Sequence, residues 1–254
     1  MRAVLLLSFR NIARHRLRFV LTTFSVLLGV SFVVASFVLT DGLRATFNSL
    51  ISEGFEDTDL QVQAKGDFEE IMFTYRAIDE ELYDVVSSVE GVEVATPYTE
   101  SAKIVVLSAS GDPIQSSSAP ILSFNWEPSA VSRMTLVDGE IPDGPAEFAI
   151  DEGTADRENM VVGETYDVIG VDGPEPFRLV GLNKYGADST LPGFVLVSFP
   201  LDELQRLDGS EGELRTIEIS AADGVDIDDL NARIASQVPA DIEVVTGDAL
   251  IADA

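Results

Sequence analysis

The stretch from Phe19 to Thr40, FVLTTFSVLLGVSFVVASFVLT, contains no Asp, Glu, Lys, Arg, His, Asn, Gln or Pro. As an α-helix, this stretch would extend about 33 Å, which is enough to cross the hydrocarbon core of a bilayer. No later apolar run is as long, and the best candidate, Phe194 to Leu201, is interrupted by a proline and is typical of a strand. We therefore predict one transmembrane helix over residues 19–40.

Charge is divided sharply at this helix. Residues 1–40 contain five arginines and no acidic residue, whereas residues 41–254 contain 11 basic and 44 acidic residues. Positively charged flanks stay in the cytoplasm. We therefore expect a single-pass protein of the cell (plasma) membrane, with a cytoplasmic N-terminus and residues 41–254 outside the cytoplasm. Residues 1–18 are typical either of an amphipathic elbow lying on membrane lipid or of a plain basic flank.

Two alternatives to a permanent anchor remain. A cleaved signal peptide usually has a shorter apolar core followed by small residues in an A-x-A-like pattern, which Ala35 to Thr40 do not show. A buried helix of a soluble protein would need a large apolar shell, and the acidic remainder of the chain does not resemble one. Both alternatives are less consistent with the sequence than an anchor.

The composition of residues 41–254 excludes several classes of function. The strong excess of acidic residues argues against a nucleic-acid partner, because binding phosphates needs clustered Lys and Arg. The acidity itself favours simple solvation, for example in a salty habitat, over a functional acidic patch. The chain has no cysteine and its one histidine, His15, precedes the helix, so neither a Ser-His-Asp triad nor a Cys or His metal site is available outside. No lysine continues into a P-loop motif.

Acidic clusters are the remaining candidates for chemistry, and each has a structural explanation. Acidic pairs in the first turn of a helix are stabilised by the helix dipole. The acid-rich runs do not follow the EF-hand calcium-loop pattern. Trp126 is interpreted as a packed residue at a strand end. We therefore predict no catalytic, cofactor-binding or metal-binding residue and no enzymatic activity; the acidic segments considered are Glu69-Glu70, Glu80-Glu81, Asp228-Asp229, Asp208–Glu213 and Asp223–Asp229.

Two strand-helix-strand patterns lie far apart in the outer segment. In the first, a strand at residues 59–64 precedes a helix capped by Asp79 and a strand from Val92. In the second, a strand at residues 214–220 precedes a helix capped by Asp226 and a strand at residues 242–245. Such a pair predicts a split, ferredoxin-like layer in which two helices cover one sheet.

The segment between the two patterns is rich in short strand-like runs, Pro and Gly, so it predicts an inserted, mostly-β subdomain. The fold class expected is therefore α+β, with one N-terminal transmembrane helix followed by an extracytoplasmic domain made of a split ferredoxin-like βαβ layer and the inserted mostly-β subdomain. The predicted strands of the insertion are 121–126, 147–150, 160–169, 177–182 and 194–199.

Two segments resemble a known family. The run LLSFRNIARHRLRFVLTTFSVLLGVSFV is similar to the opening of FtsX-like and MacB-like permeases of ABC transporters, through Asn11, Arg14, Arg18, Leu21, Thr22 and Gly29. The run from Leu136, LVDGEIPDGPAEFAIDEGTADRENMVVGETYDVIG, and the later FRLVGLNKYG resemble the MacB-like periplasmic core domain. The matching positions are Gly139, Pro142, Glu147, Ala155, Val162, Gly163, Glu164, Phe177, Val180, Gly181 and Leu182. We interpret the glycines among them as turn residues that allow positive φ between strands.

The resemblance implies a permease component that couples ATP hydrolysis by a cytoplasmic ABC ATPase subunit to movement of the outer domain, for export or for activation of a partner. It also implies a homodimer or pairing with a second permease. The family's later spans do not follow in this sequence, so a fragment or truncated gene is expected. The alternative function is a single-span anchored domain that binds a protein or lipoprotein; a membrane-anchored hydrolase is a weaker hypothesis, because no G-x-S-x-G motif is present.

These interpretations divide the chain into six parts. The two halves of the split βαβ subdomain are predicted to flank the insertion, and the last residues are predicted to begin a helix toward a second span. The parts are a cytoplasmic elbow (1–18), the transmembrane helix (19–40), a stalk helix (41–54), the split subdomain (55–118 and 208–247), the inserted β-rich subdomain (119–207) and the terminal helix start (248–254).

Overall fold

A computed structural model describes most of the chain as two compact units, residues 1–49 and 50–254. The described residues are 16–54, 57–66, 76–116, 121–129, 131–132, 134–186 and 194–252. Helix α1 begins at Arg16, in the first unit, and ends at Gly54, in the second. Its segment Val20–Val38 has a mean hydropathy of 2.1 and is the one described helix long and apolar enough to cross a membrane.

The second unit contains five further described helices and fourteen described strands. The helices are α2 (Glu81–Ser87), α3 (Glu152–Glu158), α4 (Leu201–Asp208), α5 (Ile227–Ala235) and α6 (Gly247–Ala252). The strands are β1 (Leu60–Ala64), β2 (Ile78–Asp79), β3 (Val92–Tyr98), β4 (Glu100–Ser101), β5 (Val105–Val106), β6 (Ile121–Asn125), β7 (Met134–Gly139), β8 (Glu147–Asp151), β9 (Thr165–Gly170), β10 (Gly173–Tyr185), β11 (Val195–Phe199), β12 (Glu213–Leu214), β13 (Thr216–Ala221) and β14 (Ile242–Thr246).

The smaller main sheet is four-stranded and antiparallel, in the order β14-β1-β13-β3. Helix α2 connects β1 to β3 along the chain, and α5 connects β13 to β14. This strand order with two crossover helices is the ferredoxin-like arrangement predicted from the two strand-helix-strand patterns. Apolar residues of the strands and of both helices form one cluster: Leu60, Val62, Val86, Val89, Ile217, Ile219, Leu230, Ile234 and Ile242. The expected α+β fold class is confirmed.

The larger sheet has eight strands in the order β4-β6-β11-β8-β10-β9-β5, with β7 paired to β10. The pairs β6-β11 and β8-β10 are parallel and the others are antiparallel. Its main core contains three stacked or edge-on phenylalanines, Phe148, Phe177 and Phe199, all fully buried. A second apolar cluster on this sheet contains Trp126, Phe124 and Leu196.

Aspartates begin two of the described helices, because a side-chain carboxylate can accept the unpaired N–H groups of the first turn. Asp226 accepts from the N–H of Asp229 at the start of α5, as predicted. The prediction that Asp79 caps α2 is wrong: the N-cap is Glu80, without a side-chain hydrogen bond, because Asp79 still belongs to β2, from where its Oδ1 accepts from the backbone N–H of Glu81. Asp151 accepts from the N–H of Thr154 in α3 and, through its other oxygen, from the N–H of Leu196 in β11.

Several elements differ from the sequence predictions. The apolar run from Phe194 to Leu201, interpreted as a strand, forms a strand only at Val195–Phe199, and Leu201 begins helix α4 after Pro200. The strand predicted at residues 214–220 is interrupted at Arg215, since β12 pairs with β2 in a separate two-stranded ribbon. The strand predicted from Met160 begins only at Thr165, because residues 160–164 form a turn.

The glycines of the Leu136 segment serve two purposes. Gly139 and Gly163 have φ of 78° and 94°, which confirms the expected positive φ. Gly181 does not, so its interpretation as a positive-φ turn residue is wrong. Gly181 lies within β10, where a Cβ atom would overlap the carbonyl oxygen of Glu140. A glycine is required at position 181 because the backbone of β10 passes close to the backbone at Glu140.

Strands β4 and β5 lie within the range predicted for the split subdomain, yet both pair with strands of the eight-stranded sheet. Each has two residues, which is too short for an alternating pattern to show in the sequence. The subdomain boundaries stay a prediction, since strand pairing shows where a strand lies and not where a folding unit ends.

Candidate functional site

The acidic residues considered as chemical groups lie mostly at helix starts. Asp228 and Asp229 lie in the first turn of α5, and Glu81 lies in the first turn of α2. Their carboxylates are therefore placed where the positive end of the helix dipole stabilises them. Glu69 and Glu70 lie outside the described residues.

The acid-rich runs do not assemble a metal site in the part of the chain that the structure describes. Within that part, no three Asp, Glu or His side chains lie close enough together to hold a metal ion. In the run Asp208–Glu213, Asp208 accepts hydrogen bonds from Ser101 Oγ and Lys103 Nζ. In the run Asp223–Asp229, Asp226 caps a helix.

Trp126 follows β6 and is buried, as predicted. Its backbone N–H donates to the carbonyl of Phe199 at 2.9 Å. Beside it lies an acidic cleft of about 310 Å³. The cleft is lined by prolines, by Leu201 and by four carboxylates, with no Lys or Arg among the described lining residues. Its lining is Glu80, Trp126, Glu127, Pro128, Pro142, Asp143, Pro200, Leu201, Asp202 and Gln205.

Glu127 is the perturbed carboxyl group of the acidic cleft. Burial raises its pKa above the ordinary value, a hydrogen bond with Asn125 opposes this, and the nearby charge of Asp202 raises the pKa further. The ionised form is thus disfavoured in the folded protein. A raised pKa marks many functional carboxyl groups, but structural burial produces the same shift.

A second cavity, also of about 310 Å³, lies where the two main sheets meet. It is lined by paired charges: Lys103 with Asp208 at 3.2 Å, and Arg215 with Glu100. Tyr98 Oη donates to the other carboxylate oxygen of Glu100 at 2.9 Å. The charges within each of these two pairs neutralise one another.

The residues that join the two sheets were not found by sequence reasoning. Asn125 ends β6 and Gln205 lies within α4, and both side chains are buried and hydrogen-bonded to the other sheet's connections. Helix α4 did carry a recognisable signal: Pro200 before it, Asp202 and Glu203 in its first turn, and Gly209 after it. Asn125 carried no such signal, because its partners across the sheets are backbone groups of Thr99 and Pro97.

One family model and two solved structures are similar to this chain. The family model of the MacB-like periplasmic core domain matches residues 19–237. The periplasmic region of MacB from Actinobacillus actinomycetemcomitans is 14% identical, with a TM-score of 0.57 over 80% of this chain and 94% of that one. The extracellular domain of the noncanonic ABC-type transporter YknZ from Gram-positive bacteria is 12% identical, with a TM-score of 0.53 over 74% of this chain and 99% of that one. No curated protein sequence matches the chain.

The likeness to both solved structures shows the same sheet-rich fold. The N-terminal apolar helix and the periplasmic character of the matching domain together describe a membrane-anchored protein with an extracytoplasmic domain. Because the family model extends over most of the chain, the protein belongs to the family of MacB-like periplasmic core domains.

Proposed function

We propose that this chain is the N-terminal portion of the permease component of a MacB/FtsX-type ABC transporter. In this proposal, ATP hydrolysis by a cytoplasmic partner subunit moves the extracytoplasmic domain, for export or for activation of a partner. The observation that carries the proposal is the family match over residues 19–237, which begins inside the apolar helix and includes most of the domain. That one of the similar structures belongs to an ABC-type transporter supports it.

The continuity of helix α1 supports a mechanical role. The helix includes the apolar segment Val20–Val38 and continues through the predicted stalk to Gly54. The next described strand along the chain is β1, which pairs on one side with β13 and on the other with β14. In the proposed mechanism, a displacement of the helix is passed along the chain to β1.

The partners follow from the same proposal. The cytoplasmic ATPase subunit supplies hydrolysis, and a second copy of this permease or a different permease completes the transporter. Membrane lipid surrounds the apolar helix and contacts the basic N-terminal segment. Nucleic acid is not a partner, since the outer segment has a large excess of acidic residues.

The orientation of the chain is tested by single cysteines, which are clean reporters because the natural sequence has none. We expect Val171→Cys, an exposed position, to react with a membrane-impermeant maleimide in intact spheroplasts. Ala3→Cys should react only after the membrane is permeabilised. The reverse pattern of labelling would show that the domain is cytoplasmic and would contradict the permease proposal.

The coupling to an ATPase is tested by reconstituting the full-length permease, with its later spans, together with its candidate ATPase subunit in lipid nanodiscs. We expect the two to copurify and the ATPase rate to differ from that of the isolated subunit. An ATPase variant without its catalytic glutamate is the control. Stable membrane insertion with neither copurification nor any change in the rate would favour the anchored domain that binds a protein or lipoprotein.

A further inference from the structure

The chain passes between the four-stranded and eight-stranded sheets at two places. The first passage is Tyr98-Thr99-Glu100, between β3 and β4, and the second is the segment from Asp208 to Arg215, between α4 and β13. We call the contacts at these passages the junction: those of Asn125, Gln205, the Arg215–Glu100 ion pair and the Thr96–Ser129 pair.

Asn125 belongs to the eight-stranded sheet and holds the first passage. Its Oδ1 accepts from the N–H of Thr99 at 2.8 Å, and its Nδ2 donates to the carbonyl of Pro97, in β3, at 2.8 Å. Its own N–H donates to the carbonyl of Thr99 at 3.3 Å. One buried amide side chain therefore connects the end of β6 to the backbone of the other sheet.

Gln205 holds the second passage from helix α4. Its Nε2 donates to Glu80 Oε2, at the start of α2, and to the carbonyl of Glu213, both at 3.0 Å. Thr96 Oγ1, in β3, donates to Ser129 Oγ at 2.9 Å. Arg215, just before β13, pairs with Glu100 in β4. Each of these contacts joins a group of the smaller sheet or its connections to a group of the larger sheet or its connections.

Apolar packing across the junction is sparse by comparison. The main core of the larger sheet and the core of the smaller sheet are separate clusters. Leu201 packs against the smaller sheet's core, and Tyr98 packs against the second cluster of the larger sheet. Domain interfaces that are small and polar permit relative motion, whereas large apolar ones resist it.

Unfilled space accompanies these polar contacts. Both cavities of about 310 Å³ are lined by residues of both sheets or their connections: Glu80 with Leu201 in the acidic cleft, and Leu214 and Arg215 with Ser101 and Leu122 in the second cavity. Close packing on both sides of the passages would oppose rotation. The two cavities beside the passages leave room for one sheet to rotate against the other.

We propose that the junction is a hinge whose closed position is held by the side chains of Asn125 and Gln205. Breaking their hydrogen bonds allows the eight-stranded sheet to rotate against the four-stranded sheet while each sheet keeps its own core. The hinge exists whether or not a transporter is assembled. Its use, as the place where movement of α1 becomes rotation of the eight-stranded sheet, rests on the proposed function.

The test measures the distance between the sheets in the full chain in detergent micelles. Spin labels are placed at Glu93→Cys, exposed on β3, and Thr165→Cys, exposed on β9. We expect double electron-electron resonance to give one narrow distance for the parent protein. Asn125→Ala and Gln205→Ala should each broaden the distribution at least about twofold or add a second distance, as a polar domain interface released from its contacts predicts.

Arg206→Met is the matched control, because Arg206 follows Gln205 on α4 and its ion pairs with Glu175 and Glu203 lie within the larger subdomain. We expect the control to keep the parent's narrow distribution. Equal broadening in the control and in Gln205→Ala would assign the effect to loosening of α4 and overturn the hinge. Narrow distributions in both junction variants would overturn it as well.

Hydrogen exchange of the parent protein tests the hinge without a substitution and decides the matter if Asn125→Ala does not fold. The N–H of Thr99 donates to Asn125 Oδ1, and the backbone N–H of Asn125 donates to the carbonyl of Thr99, so both bonds cross the junction. We expect these two N–H groups to exchange at least about tenfold faster than the buried central strands β11 and β13, because hinge opening is a local event. If these N–H groups were protected from exchange as strongly as those of β11 and β13, the hinge proposal would be overturned. Neither measurement involves an ATPase, so a failure of the transporter proposal leaves both results readable.

Discussion

Replacing Phe199 with alanine is expected to lower the free energy of unfolding of the extracytoplasmic domain by about 3–5 kcal/mol. Phe199 is fully buried, and its ring lies 5.7 Å from that of Phe177 and 6.1 Å from that of Phe148, centroid to centroid. The substitution removes the ring's transfer free energy, leaves a cavity and breaks both aromatic contacts. Urea unfolding of the full chain in detergent, followed by near-ultraviolet circular dichroism, measures the change.

Val161→Ala is the control for this substitution, since Val161 is 54% exposed and its truncation should change the free energy of unfolding by less than about 0.5 kcal/mol. If Phe199→Ala unfolded at the same urea concentration as Val161→Ala, the phenylalanine cluster would not be the core of the larger sheet. That result would mean that neighbouring side chains fill the space left by the ring with little loss of free energy of unfolding, which is not expected in a close-packed core.

A flexible insertion in the stalk is expected to abolish coupling. In the full-length permease, a Gly-Ser segment placed after Glu53 interrupts α1 one residue before its end, between the apolar segment and β1. Folding of the domain and binding of the ATPase should be retained, because neither depends on the rigidity of this connection. ATP hydrolysis should continue while export or partner activation falls to the level of a hydrolysis-deficient transporter.

The control is the same Gly-Ser segment inserted after Asp172, in the tight turn between β9 and β10. This insertion adds equal flexibility away from the connection between helix and sheet, and exposed turns tolerate insertions well. It should leave coupling intact. Unchanged coupling after the insertion at Glu53 would contradict a mechanical stalk and favour a passive binding domain.

The parts of the fold that were predictable from sequence are those with a local signature. The apolar run at residues 19–40 specifies its environment by composition alone. Asp226, followed by Ile227, Leu230 and Ile234 at helical spacing, shows both where α5 begins and which face is buried. The alternation in residues 59–64 similarly predicts a strand, which the structure has at Leu60–Ala64.

The parts that were not predictable depend on contacts between distant residues. β4 and β5 exist only because β6 and β9 pair with them. The roles of Asn125 and Gln205 depend on which backbone carbonyls the topology brings near them, and an amide side chain is compatible with many other positions. The larger sheet's strand order is likewise set by packing and not by any single segment.

The order of the four-stranded sheet has a consequence for biosynthesis. Leu60 in β1 pairs with Ile219 in β13, about 160 residues later, and such distant pairing slows folding. The other partner of β1, β14, is made later still. At roughly 5–20 residues per second, β1 therefore waits on the order of ten seconds or more with its ladder groups unpaired. A nascent chain that ends before residue 216 has neither of the two described partner strands of β1, so this sheet can form only after β13 has been synthesised.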